Sequence, residues 1–156
     1  MKSSLRRIRS IADYQFGKGM GAKLFPEKVE ITHSKATGRI RYVYLNDKRL
    51  ATLRPTDGLF SLSITAARIV AENRDLANCF VAVQQNISAF IASGRDVFAA
   101  HVVKADDAIH SKDEVVVIDE NNQVLAVGRA ILSGSEMITF RKGVAVKIRR
   151  GCAKES

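Results

Sequence analysis

The chain has 156 residues, enough for one ordinary domain or two small ones, and its 46% hydrophobic and 26% charged residues belong to a chain that folds, not to a disordered one. Its formal charge of +9 is unevenly placed: residues 1–77 carry 15 Lys and Arg against 7 Asp and Glu, whereas residues 78–156 carry 10 against 9. No apolar run approaches the roughly 20 residues of a membrane span, and the opening MKSSLRRIRS lacks the apolar core of a signal peptide, so a cytoplasmic protein with no membrane partner is expected.

Leu5, Ile8, Ile11 and Ala12 recur at helical spacing, with Arg6, Arg7 and Arg9 on the remainder of that helix. The glycine-rich stretch FGKGMGAKLF (16–25) reads as a loop. Its Lys18, Gly19 and Gly21 do not make a phosphate-binding loop, because no GK[ST] follows a strand and opens a helix. Three strand-like runs follow at 28–33, 39–45 and 48–54, the last two joined by Asn46 and Asp47 as a tight hairpin. Ser63 is placed to cap a helix that carries Ile64, Ala67 and Ala71 on one side. The polar AENRDLAN (71–78) falls where the charge balance changes, which sets a boundary at about residue 77.

The second unit opens on the apolar strand CFVAVQQ and a short helix over 86–93, stopped by Gly94. Strands are expected at 96–104, 113–119 and 123–130, the last two separated by the turn ENN. In LSGSEMITFRKG, Ser133 and Glu136 have the spacing of a capping box, Met137 and Phe140 face inward, and Gly143 stops the helix. In the closing VAVKIRR, Val144, Val146 and Ile148 alternate with Ala145, Lys147 and Arg149. Many short strands with two short helices point to a small, nearly closed barrel.

Catalytic and metal chemistry find little support. Cys79 and Cys152 form no CxxC pair and, with three scattered histidines, build no zinc site, so two reduced thiols are expected. His33, His101 and His110 have no neighbouring nucleophile. Asp106-Asp107 and Asp119-Glu120 sit at turns, where such side chains serve local hydrogen bonds. No catalytic residue, metal or cofactor is assigned. A basic first unit suits a polyanion, most often nucleic acid, although a charged surface serves solubility equally well.

The order strand, helix, Gly, strand, followed by DEVVVIDENNQVLAVGRAILSGSEMITFRKGVAVKIRR (113–150), resembles a PUA domain, a small RNA-binding pseudobarrel. The turn SGRDVFA and the final GVAVKIR are part of that likeness. With DYQFG (13–17) and GRIRYVYLNDKRLATLRPTDGLFSLSITAARI, nearly the whole chain resembles the C-terminal part of the archaeosine tRNA-guanine transglycosylase family, in which a pre-PUA domain precedes the PUA domain. That family's catalytic barrel, with its aspartate nucleophile and cysteine-rich zinc site, has no counterpart in these residues. Where the family commonly has Lys then Phe after VFA, this chain has Ala100 and His101.

The resemblance implies an α+β pre-PUA-like unit over 1–77 and, over 78–156, a mostly-β PUA-like pseudobarrel with two short helices. It also implies an RNA groove lined by the first PUA helix, the turn after it and the last strand. The candidate RNA-binding residues are then Ser93, Gly94, Arg95, Asp96, Lys147, Arg149 and Arg150. A glycine at the turn permits a left-handed backbone and lets a phosphate come close, and the cations contact phosphates without reading sequence. With no tryptophan and 6% aromatic residues, extensive base stacking is not expected, and a stem end held by shape and charge is. The expected function is non-catalytic RNA binding, with tRNA as the partner and a separate transglycosylase-like catalytic subunit as a second one. A protein-interaction or ribosome-associated adaptor is the alternative.

Overall fold

A computed structural model of the chain describes residues 2–154 and divides it into two compact units between Ala77 and Asn78. The first unit begins with α1 (Lys2–Phe16), whose Ile8, Ala12 and Phe16 are fully buried. The predicted loop 16–25 instead contains a short helix, α2 (Met20–Leu24). Its glycines disguise it in the sequence. Tertiary packing outweighs their low propensity, since Met20 and Leu24 are both completely buried.

Four antiparallel strands in sequential order make the first sheet: β1 (Glu30–His33), β2 (Ile40–Leu45), β3 (Lys48–Leu53) and β4 (Phe60–Leu62). Asn46 and Asp47, at φ 51° and 66°, form the tight β2–β3 turn. Strand β4 has no counterpart among the predicted elements, because three residues are too few to show alternation. It is fixed from outside: the Gln15 amide donates to the Phe60 carbonyl and accepts from the Phe60 N–H, each at 2.8 Å. Phe60 also packs against Phe25, with ring centroids 5.2 Å apart. The Ser63 hydroxyl accepts from Ala66 N at the start of α3 (Ile64–Glu72), which buries Ile64, Ala67 and Ala71 as the sequence predicts.

The second unit is a six-stranded mixed sheet in the order β6-β10-β9-β8-β5-β7. Its strands are β5 (Phe80–Val83), β6 (Val97–Phe98), β7 (Val102–Ala105), β8 (Glu114–Ile118), β9 (Val124–Ala130) and β10 (Val144–Gly151), with β5 and β8 parallel. The predicted strand 96–104 is in fact broken. A 3-10 turn at Ala99–His101 splits it, so that β6 pairs with β10 and β7 with β5 at the opposite edge. Two edges joined by three residues can be bridged only if the sheet curls round, and this makes the nearly closed pseudobarrel. Val81, Val97, Val117, Ala126, Met137 and Val146 fill its interior.

Two helices complete this unit: α4 (Ser88–Ala92), preceded by a 3-10 turn at Gln85–Ile87, and α5 (Gly134–Phe140). The capping box of α5 is present, with Ser133 Oγ accepting from Glu136 N and the Glu136 carboxylate accepting from Ser133 N. Two details of that prediction are corrected. Phe140 is 53% exposed, because α5 ends before its last turn reaches the core that buries Met137. The left-handed residue closing the helix is Arg141, at φ 55°, two positions before Gly143.

Candidate nucleic-acid interface

The turn after α4 is a complete C-terminal cap. Gly94 N donates to Ile91 O at 2.9 Å and Arg95 N to Phe90 O at 3.1 Å, with Gly94 at φ 109°. This is the paired bonding of a Schellman motif, and it requires the left-handed glycine. The usual contact across such a cap is here between Arg95 and Phe90, with the guanidinium 5.6 Å from the ring centroid. The Ser93 hydroxyl donates to Phe90 O at 2.7 Å. A Cβ on Gly94 would meet no atom within 4 Å, so the glycine meets a conformational need and faces open space.

Close backbone approach occurs instead at Gly151, at the end of β10. A Cβ there would stand 2.1 Å from Ala92 O and 2.8 Å from Gly94 N. The end of α4 and the Gly94 turn therefore lie directly on the last strand. A second tie joins them, as the Asp96 carboxylate accepts from Ile148 N at 2.8 Å. Asp96 is thus a structural acceptor that anchors the turn to β10.

The strand's cations have different fates. Lys147 is exposed and lies opposite Arg129 of β9, which in turn lies opposite Glu114 of β8, so the three share one face. The register shifts between Ile148 and Arg150, and Arg149 reaches back over this irregularity to Glu114, NH1 to Oε1 at 2.8 Å and NH2 to Oε2 at 2.5 Å. The Glu114 side chain is wholly buried while that of Arg149 is 39% exposed, so Arg149 serves first to neutralise an interior carboxylate. Arg150 is exposed and donates to Lys154 O at 3.2 Å.

Three residues of this surface were not singled out from the sequence. Arg129 is the lone charge in the apolar run VLAVGRA, which is a usable signal. Phe90, an apolar residue of the predicted helix 86–93, is 54% exposed beneath Arg95. Gly151 gives no sequence signal, because only the fold brings Ala92 to it. The turn carboxylates are structurally engaged: Asp106 accepts from Phe80 N, Asp119 from Asn121 N and Gln123 N, and Glu120 from Gln85 N. His101 stands edge-on to Phe98, and His110 lies 3.8 Å from the Asp113 carboxylate. Among the described residues no three His, Cys, Asp or Glu side chains gather to hold a metal ion. No described helix is long and apolar enough to cross a membrane.

Comparison with known proteins agrees with both units. Residues 6–75 match the patch-forming domain C2 of tRNA-guanine transglycosylase, and residues 80–152 match the PUA domain. The chain is 43% identical over 150 residues to the tRNA-guanine(15) transglycosylase of Pyrococcus furiosus, covering 96% of this chain and 25% of that protein. It is 38% identical over 147 residues to that of Methanothermobacter thermautotrophicus, covering 94% and 22%. The chain thus spans about a quarter of the length of the curated relatives it matches. Among solved structures, a hypothetical protein of Pyrococcus horikoshii superposes with a TM-score of 0.78 at 26% identity, covering 100% of this chain and 93% of that one. A conserved PUA domain protein of Thermoplasma acidophilum superposes at 0.71 with 22% identity, a likeness of fold. The chain therefore carries, in order, a match to the patch-forming domain C2 of tRNA-guanine transglycosylase and a match to the PUA domain, over the stretch it shares with the archaeal tRNA-guanine(15) transglycosylases.

Proposed function

We propose that this chain is a non-catalytic RNA-binding protein that holds tRNA at a stem end through its PUA domain. The observation that carries the reading is the Gly94 turn, capped and open to solvent, seated on a last strand that presents Lys147 and Arg150. Arg95 on Phe90 and Arg129 opposite Lys147 extend the positive surface. Like charges directly opposite across a sheet are unfavourable, and a phosphate backbone relieves that repulsion. The relatives named as tRNA-guanine(15) transglycosylases make tRNA the favoured RNA, and a separate catalytic subunit that modifies it the favoured partner. The test is equilibrium binding of a tRNA transcript over a range of salt. Log K should fall linearly with log salt, with a slope reporting several phosphate contacts. A flat dependence between low and physiological salt overturns the reading.

A further inference from the structure

Among the described residues of the second unit, the exposed large apolar side chains other than Phe90 lie around one helix. Ile131 is in the link into α5, Ile138 and Phe140 are on it, Phe98 is on β6 and Val103 on β7. Helix α5 packs against β7 and against the 3-10 turn Ala99–His101 that separates β6 from β7. The chain leaving α5 is tied to that corner, where Gly143 O accepts from Ala99 N at 2.8 Å and Val144 pairs with Phe98. Apolar residues scattered singly over a surface need no explanation, but a group gathered round one element marks a surface that something covers. The remaining exposed positions of α5 are Ser135 and Thr139, so its outer side carries no charge, unlike the solvent side of an ordinary surface helix. Four residues apart, Ser135 and Thr139 share one crest of short side chains, over which a second backbone can come close.

The two ends of this face carry opposite charge. At the start of α5 a Cβ on Gly134 would collide with Asp106 O and stand 3.6 Å from Asp107 Cα, so the exposed Asp107 borders that end. Beyond the other end, Arg141 and Lys142 are exposed. Among the described residues none of these three has an ion-pair partner. An interface between identical copies must be self-complementary. A face that is acidic at one end, apolar in the middle and basic at the other matches itself when a second copy is laid on it end for end. Asp107 of each copy then meets Arg141 and Lys142 of the other. The location also suits two copies of a basic chain. Residues 78–156 have 10 cations against 9 anions, a net +1, whereas residues 1–77 have 15 against 7, a net +8, so copies that meet through their second units repel each other least.

We propose that α5 and the β6–β7 corner form an isologous interface for a second copy of this chain, with the two α5 helices antiparallel across a two-fold axis. The association goes beyond RNA binding and does not depend on it. Its consequence is that two Gly94 turns belong to one particle.

The test is sedimentation equilibrium of the full chain, freed of nucleic acid, from low micromolar to submillimolar concentration. The parent should show a monomer–dimer equilibrium. Ile138→Gln/Phe140→Gln should raise the Kd of the dimer by about tenfold or more. Both side chains are exposed and glutamine is a good helix former, so circular dichroism should show the fold of the parent. Asp107→Lys and Arg141→Asp/Lys142→Asp should each weaken the dimer when alone, because each brings like charges together. Mixed in equal amounts, these two charge variants should dimerise again, since the mixed pair has opposite charges at both contacts. A parent that stays monomeric throughout overturns the proposal, and so does an Ile138→Gln/Phe140→Gln variant that dimerises like the parent. Charge variants that do not rescue each other overturn the antiparallel arrangement. Copies that come together only when tRNA is added are bridged by the RNA, which also counts against the interface.

Discussion

Ala92 O occupies the space into which any side chain on Gly151 would grow, with 2.1 Å between them for a lone Cβ. That contact, and not the open Gly94 position, fixes how the α4 turn meets β10. Two glycines close in space therefore exist for different reasons. One supplies a left-handed cap; the other removes an obstacle.

The two roles predict different costs. Gly94→Ala meets no atom and should lose only the left-handed penalty, about 1–2 kcal/mol. Gly151→Ala must push α4 off the strand and should cost more, about 3 kcal/mol or above for a backbone clash. It should also shift resonances across residues 91–97. Urea unfolding followed by amide signals of the second unit measures both. Equal losses for the two variants contradict the close contact.

The contrast also shows what the sequence could reveal. Helix starts were legible, because Ser63 and the Ser133–Glu136 capping box act within one turn of chain. The hairpin at Asn46 and Asp47 was legible for the same reason. Features set by distant partners were not. Helix α2 exists because Met20 and Leu24 are buried by other elements, β4 because Gln15 clamps Phe60, and the split of 96–104 because the sheet curls. Within the candidate site, the residue types were readable from 93–96 and 147–150, but their bonding was not. Nothing local says that Asp96 serves Ile148 or that Arg149 serves Glu114.

The cysteines should differ sharply in reactivity. Cys79 is buried, and burial first, then the nearby Asp106 and Glu114 charges, raise its thiol far above the ordinary range. The thiolate is the reactive form, so Cys79 should stay unmodified in the native protein. Cys152 is only partly buried. Maleimide labelling read by mass spectrometry should give one adduct in buffer, on Cys152, and two in denaturant. Native labelling of Cys79 counts against the packing described for β5.

Asp57 sets a pH limit on the β3–β4 loop of the first unit. Burial pushes its carboxyl up, but the Leu59 N–H and the Arg54 guanidinium together outweigh this and hold it below the ordinary carboxylate range. A lowered folded value means that the Arg54–Asp57 lock is present above the unfolded value and is lost as pH falls through the folded one. The lock should thus survive to below about pH 4. A titration of the Asp57 carboxyl carbon resonance should place its midpoint below that of an unfolded aspartate. Arg54→Ala should move it upward, and an unmoved midpoint shows that Arg54 does not hold it.

Arg149 and Lys147 look alike in VAVKIRR, yet their removal should have opposite signatures. Arg149→Ala strips a wholly buried Glu114 carboxylate of its bidentate partner. Breaking a fully buried pair costs about 3–5 kcal/mol, and the partial exposure of Arg149 places this case toward or below the lower end. Arg149→Met with Glu114→Gln should recover part of that loss, because no unpaired charge remains in the interior. Lys147 is exposed beside Arg129, so Lys147→Ala should leave stability within about ±0.5 kcal/mol. Its effect should appear in tRNA binding, as a slope against log salt shallower by about one. Measured at a temperature where circular dichroism shows every variant folded, Lys147→Ala should therefore bind more weakly than its stability predicts. If Lys147→Ala keeps the parent's slope and Arg149→Ala keeps the parent's stability, the last strand neither grips RNA nor relies on the Glu114 pair.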